Sequence, residues 1–133
     1  MSHFTKVQTQ INDLVALKKA LDQLGWKYRA AENNQKVVVR GYRGQTTEAE
    51  LCIDMGKYDI GVVKNEDNTY ELVSDWWGIE TTKGLTEQEV VTELNQKYAY
   101  QRVLAAVEEA GYSVDTNNVA ADGTVKLSVS KWG

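Results

Sequence analysis

At 133 residues and 42% hydrophobic content, the chain fits a single globular domain, residues 1–133, large enough to bury its own core. Its 15 basic and 19 acidic residues give a formal charge of -4, which argues against general nucleic-acid binding, an affinity that grows with the phosphates neutralised by Lys and Arg. One cysteine, Cys52, excludes an internal disulfide, no apolar run nears the roughly 20 residues of a membrane span, and residues 1–6 lack the apolar centre of a secretory signal, so a soluble intracellular protein without membrane insertion is expected.

Residues 4–11 alternate weakly at Val7, Thr9 and Ile11 and predict an opening strand. The period then changes: Ile11, Leu14, Leu17, Leu21 and Leu24 recur at three and four, with Ala20 on the same side. Such spacing predicts an amphipathic helix, capped at its start by Asn12 or Asp13 and closed at Gly25. Residues 26–30 and 36–40 flank a polar stretch and predict a hairpin. Strands are also predicted over 50–55, 59–64 and 69–74, the last two joined by Asn65-Glu66-Asp67-Asn68.

Thr86-Glu87-Gln88-Glu89 is a capping box that starts a second helical region. Its apolar residues change sides: Val90, Leu94 and Tyr98 share one side, whereas Tyr100, Val103, Leu104 and Val107 lie roughly opposite. A kink or break between about residues 96 and 100 is therefore predicted. The second piece repeats the first helix. Aligning Gly25 with Gly111 matches Leu17 to Val103, Ala20 to Ala106, Leu21 to Val107, Leu24 to Ala110 and Trp26 to Tyr112. Strands over 112–116 and 125–130 follow, with Asn117-Asn118 and Asp122-Gly123 in the loop between them. The expected fold is α+β: a mainly antiparallel sheet with helices on one face, built from two related strand-helix-strand-strand units.

No arrangement announces a reaction. His3 and Cys52 alone cannot furnish a zinc or iron–sulfur site, so no metal and no cofactor is expected. The serines lack a nucleophile motif, and Glu87, Glu89, Glu93, Glu108 and Glu109 read as solvated helix faces or caps, so no catalytic residue is assigned. Lys27, Arg29, Lys36, Arg40 and Arg43 face only Glu32 in their segment and form a candidate basic patch, or else the ordinary cover of a sheet edge. With Tyr28 and Tyr42 they have the residue types, though not the overall charge, of a single-strand nucleic-acid reader. The most unusual segment runs from Ser74 through Asp75, Trp76 and Trp77 to Gly84. Read as extended chain and loop, it sends one tryptophan inward and the other outward. The outward ring is either a lid against Tyr98 and Tyr100 or an anchor for a partner, with Arg102 nearby. Asp75, Trp76, Trp77, Tyr98, Tyr100 and Arg102 are thus the candidate contact residues.

Blocks through the chain resemble a known family: Met1-Ser2-His3-Phe4-Thr5-Lys6-Val7, Tyr58-Asp59-Ile60-Gly61, Glu71-Leu72-Val73-Ser74-Asp75-Trp76-Trp77, Gln96-Lys97-Tyr98-Ala99-Tyr100-Gln101 and Asp122-Gly123-Thr124-Val125. It is the hypothetical chloroplast open reading frame thirty-five family of plastid and cyanobacterial proteins. The resemblance implies a cyanobacterial cytosol or plastid stroma, and it transfers no reaction, cofactor or catalytic residue. Together these readings point to a non-enzymatic interaction, assembly or regulatory factor whose partner is another protein. A small-ligand binder with an aromatic-lined groove is the alternative, and an enzyme ranks behind both. The oligomeric state is left open.

Overall fold

The computed structural model describes residues 3–33, 35–119 and 125–131. Its elements in chain order are β1 (Thr5–Gln8), α1 (Leu14–Leu24), β2 (Tyr28–Ala30), β3 (Val37–Arg40), a 3-10 turn at Tyr42–Gly44, β4 (Thr46–Ala49), β5 (Leu51–Asp54), β6 (Asp59–Lys64), β7 (Tyr70–Ser74), α2 (Trp76–Lys83), α3 (Glu87–Glu109), β8 (Tyr112–Val119) and β9 (Val125–Lys131). Five strands form one antiparallel sheet in the order β1-β7-β6-β5-β2, while β3 pairs with β4 and β8 with β9 in separate ribbons.

Alternation along the strands divides the core. Leu51, Ile53, Ile60, Val62 and Leu72 meet Leu17 and Leu21 of α1, Ile79 of α2, and Val90 and Leu94 of α3, all fully buried. Each such side chain contributes roughly 1.5–3 kcal/mol of transfer free energy. The intervening Cys52 turns to the other face, where it packs with Val39 and Ala49 of the β3–β4 ribbon. The ribbon can settle there because Gly61 of β6 has no side chain. A Cβ at that position would stand 2.9 Å from Val39 Cγ2 and 3.2 Å from Ala49 Cβ. The architecture is therefore helices, sheet and ribbon in three layers.

Local signals explain α1. Asp13 Oδ1 accepts from the amides of Val15 and Ala16 at 3.0 and 3.2 Å, and Gly25 ends the helix in the left-handed region at φ 74°. Gly111 is left-handed too, at φ 88°. The predicted hairpin between the second and third strands does not form. β2 pairs with β5 on the edge of the main sheet, and β3 turns back through the 3-10 turn to pair with β4, a strand that polar Thr46-Thr47-Glu48 concealed. In the second unit β8 does pair with β9, and it runs through Asn117 and Asn118, which were expected in the loop. Asp122-Gly123 lies outside the described residues.

Two further expectations are corrected. Residues 75–84 are not a loop: they hold α2, capped by Asp75 and closed by left-handed Gly84 at φ 72°. Gly78 and the β-branched Thr81 and Thr82 lower its intrinsic helix propensity, so the caps were the only signal. The break predicted near residue 98 is also absent, because α3 runs as one helix from Glu87 to Glu109. Its capping box closes as expected, the Glu89 amide donating to Thr86 Oγ1 at 3.1 Å and the Thr86 amide to Glu89 Oε1 at 3.0 Å. The apolar residues change sides without interrupting the helix. Val90 and Leu94 pack into the core, whereas Val103 stands 45% exposed where α3 runs on toward β8.

Candidate functional site

The aromatic site begins where β7 hands the chain to α2. Asp75 is 1% exposed, and its Oδ1 accepts from the Gly78 amide at 3.1 Å, fixing the first turn of α2. Its Oδ2 is buried with no hydrogen-bond partner among the described residues. Trp76 then enters the core at 7% exposure, its indole N–H donating to the Thr5 carbonyl of β1 at 3.3 Å. Trp77 is 49% exposed. One ring in and one ring out matches the expectation, but the cause is the 100° step of a helix rather than strand alternation.

Trp77 is held at the surface by neighbours from another part of the chain. Its ring meets that of Tyr42 edge to face, with centroids 6.1 Å apart and planes at 87°. Arg43 stacks its guanidinium over Tyr42, 5.1 Å from the ring centroid. Such ring pairs contribute about 0.5–1.5 kcal/mol, and exposed cation–π contacts about 0.5–1 kcal/mol. The 3-10 turn that carries both residues is closed by hydrogen bonds from Gly41 to Gln45 and from Gln45 to Tyr42, at 2.7 and 3.0 Å. Arg43 adopts a left-handed backbone there, φ 52° and ψ 41°. Beneath α2, the Tyr58 ring lies against Gly78 and leaves no room for a Cβ there.

The basic segment is largely neutralised by its surroundings. Arg40 donates from its amide, Nε and Nη2 to the carboxylate of fully buried Asp59, at 2.8, 3.0 and 2.8 Å, and from Nη2 also to Asp54 at 3.2 Å. Burial pushes the Asp59 carboxyl up, but the hydrogen bonds and charge of Arg40 outweigh it and hold the group below the usual carboxylate range. Arg29 lies 3.9 Å from Asp59 and Lys36 3.9 Å from Glu50. Only Lys27 and Arg43 of the five make no ion pair among the described residues. Cys52 accepts from Arg29 Nη2 at 3.3 Å. Burial, reinforced by the negative charge of Asp59, pushes its thiol up to about 12, the state of an inert structural cysteine.

The remaining candidates form a different group. Tyr98 OH donates to Asn12 Oδ1 and accepts from the Asn12 amide, both at 3.1 Å, and Arg102 Nη1 donates to Asn12 Oδ1 at 2.8 Å. This network fastens α3 to the residues just before α1. Tyr100 is buried at 7% exposure. No ring contact or hydrogen bond among the described residues joins this group to Trp77. The partner of Trp77 is Tyr42, which sequence separation hid and which only the pairing of β3 with β4 brings across the sheet.

Concave surface lies elsewhere. A concavity of about 590 Å³ is lined by Leu24, Trp26, Leu85, Thr86, Gln88, Glu89, Thr92 and Glu93. Two more, of about 450 and 530 Å³, share Trp26 with it. None of these three is lined by Trp76 or Trp77. Among the described residues no cluster of three His, Cys, Asp or Glu side chains is placed to hold a metal ion, and no helix is long and apolar enough to cross a membrane.

Fold and surface together define a three-layered α+β domain that displays a stacked tryptophan, tyrosine and arginine on one rim. The chain belongs to the family described as "Protein of unknown function (DUF1257)", which it matches over residues 20–128. It is 33% identical over 139 residues to "Uncharacterized protein ycf35" of Guillardia theta, covering 99% of this chain and 98% of that protein. Proteins of the same description from Cyanophora paradoxa and Pyropia yezoensis are 33% and 34% identical with the same coverage. No solved structure matches the chain.

Proposed function

We propose that this protein is a non-enzymatic interaction or assembly factor of a photosynthetic organism, acting in the plastid stroma or cyanobacterial cytosol, with the Trp77 rim as its contact surface. The observation that carries the reading is a large aromatic ring left half exposed yet held edge to face by Tyr42, which itself carries Arg43 over its ring, both residues of hot-spot type. Immobilising such rings before binding removes part of the ordering cost of association. The algal sources of the relatives support the setting.

The test is affinity capture of tagged protein from a cyanobacterial host with quantitative mass spectrometry. Parent, Trp77→Ala and Val15→Ala are compared, because Val15 is 64% exposed on α1 and serves as a surface control. A partner should fall roughly tenfold or more with Trp77→Ala, as hot-spot truncations do, and stay unchanged with Val15→Ala. Equal recovery from all three would remove Trp77 as the contact.

A ligand-binding reading keeps one observation in its favour, the three adjoining concavities at Trp26, each within the roughly 300–1,000 Å³ of small-molecule sites. It moves the aromatic-lined groove from the adjacent tryptophans to Trp26.

A further inference from the structure

The geometry points to an acidic, apolar-flanked peptide segment as the partner of the Trp77 rim, its carboxylate bound by Arg43 and its apolar side chain seated on Trp77. This inference rests on the rim being a protein contact and specifies what that protein must present there.

The charge argument is local. Arg29, Lys36 and Arg40 are paired with Asp59, Glu50 and Asp54, whereas Arg43 has no carboxylate among the described residues. Its guanidinium carbon lies 5.1 Å from the Tyr42 ring centroid, and a guanidinium carries a fork of N–H donors that matches a carboxylate. Its backbone is left-handed, an uncommon conformation for a residue other than glycine, within a turn closed by the Gly41–Gln45 and Gln45–Tyr42 bonds. Such a backbone at an exposed, uncompensated cation adjoining an exposed tryptophan fits a prepared contact better than a solvated loop.

Spacing narrows the partner. The two stacking distances bound the separation of the Arg43 guanidinium and the Trp77 ring at about 11 Å. An extended chain advances about 3.3 Å per residue, so the acid and the apolar residue of the partner lie within roughly four positions of each other. A polyanion is a poorer fit, because phosphate-backbone binding gathers strength from many unpaired cations and, of the five basic residues of the segment, only Arg43 and Lys27 lack an ion pair among the described residues.

The experiment pans a surface-displayed library of random twelve-residue peptides against the purified full chain and against its Trp77→Ala, Arg43→Gln and Arg43→Lys variants, each first matched to the parent by thermal melting. Parent should enrich peptides carrying Asp or Glu within four positions of an aromatic or large aliphatic residue, and affinity for synthesised winners should fall about tenfold with Trp77→Ala. Arg43→Gln should abolish the acidic bias and keep the apolar one, and Arg43→Lys should keep part of the acidic bias. No enrichment that depends on Trp77 overturns the rim as a contact. Enrichment that depends on Trp77 but is neutral or basic, or is unchanged in Arg43→Gln, overturns the acidic partner alone. A fluorescent single-stranded oligonucleotide or a dimer in sedimentation, if either is lost with Trp77→Ala, likewise replaces the acidic segment with a nucleic acid or a second copy.

Discussion

Replacing Asp59 by Asn tests whether one buried carboxylate locks the ribbon onto the sheet. Asp59 is fully buried and accepts three hydrogen bonds from Arg40, one of them from the backbone amide of β3. Hydrogen bonds to a charged group contribute about 1.5–3 kcal/mol each, and asparagine retains one acceptor while turning an N–H₂ toward donors. The total is discounted because the Arg40 side chain is 48% exposed and regains water when its partner is lost. The expected net loss is about 3 kcal/mol, or roughly 10 °C in melting temperature for a domain of this size.

Direction with pH gives a sharper test of the same pair. The folded-state value of Asp59 lies below the ordinary one, so its stabilisation is fully present above about pH 4 and decays as pH falls through the folded value. Urea or thermal unfolding should therefore show the gap between parent and Asp59→Asn narrowing from about pH 4 toward pH 2. Arg40→Gln removes the guanidinium charge and the side-chain bonds while the backbone amide bond to Asp59 remains, so Asp59 loses most of what holds it low and the gap between parent and this variant should also narrow on acidification. A loss under about 1 kcal/mol, or a gap constant down to pH 2, would refute the lock.

Trp76→Ala should cost about 3–5 kcal/mol by differential scanning calorimetry, because it empties a core site and removes the indole bond to Thr5. Trp77→Ala, losing a half-exposed edge-to-face contact, should cost under about 1 kcal/mol in the same measurement. Thr86→Ala breaks the capping box of α3 and should lower stability by about 0.5–2 kcal/mol in urea titration. Cys52 should resist iodoacetamide at pH 8 in the native state and react in denaturant, followed by intact-mass spectrometry. Prompt native alkylation would contradict its burial and raised value.

Much of the fold was legible where a strong period met a clear terminator. The stripe from Leu14 to Leu24 with Gly25 behind it specified α1, and Thr86 with Glu89 specified where α3 starts. Strands β5, β6 and β7 followed from short apolar runs separated by turn residues. What escaped depended on partners distant in sequence. β4 is polar because its outer side faces water, and it is a strand only through its register with β3. α3 remained one helix although its apolar residues change sides, so the shifted stripe did not signal a break. At the candidate site, adjacent tryptophans indicated one exposed ring, but Tyr42 and Arg43 reach it only through the turn between β3 and β4. Asp59 looked like an ordinary strand end, although an acid opening a run as apolar as Ile60-Gly61-Val62-Val63 signalled that a cation had to meet it.

The place of β1 sets an order on the assembly of the molecule. Thr5 pairs with Ser74 and Gln8 with Glu71, so the first strand to be synthesised waits for the last strand of its sheet. β5, β6 and β7, by contrast, are joined to one another by short turns, so their pairings close only short loops. Closing a long loop carries a larger entropic cost than closing a hairpin, so the central meander is the natural nucleus and β1 the final closure. The bond from Trp76 to the Thr5 carbonyl is made in that same closing step. Docking of the amino-terminal strand therefore also completes the Trp76 anchor at the start of α2, the helix that carries Trp77.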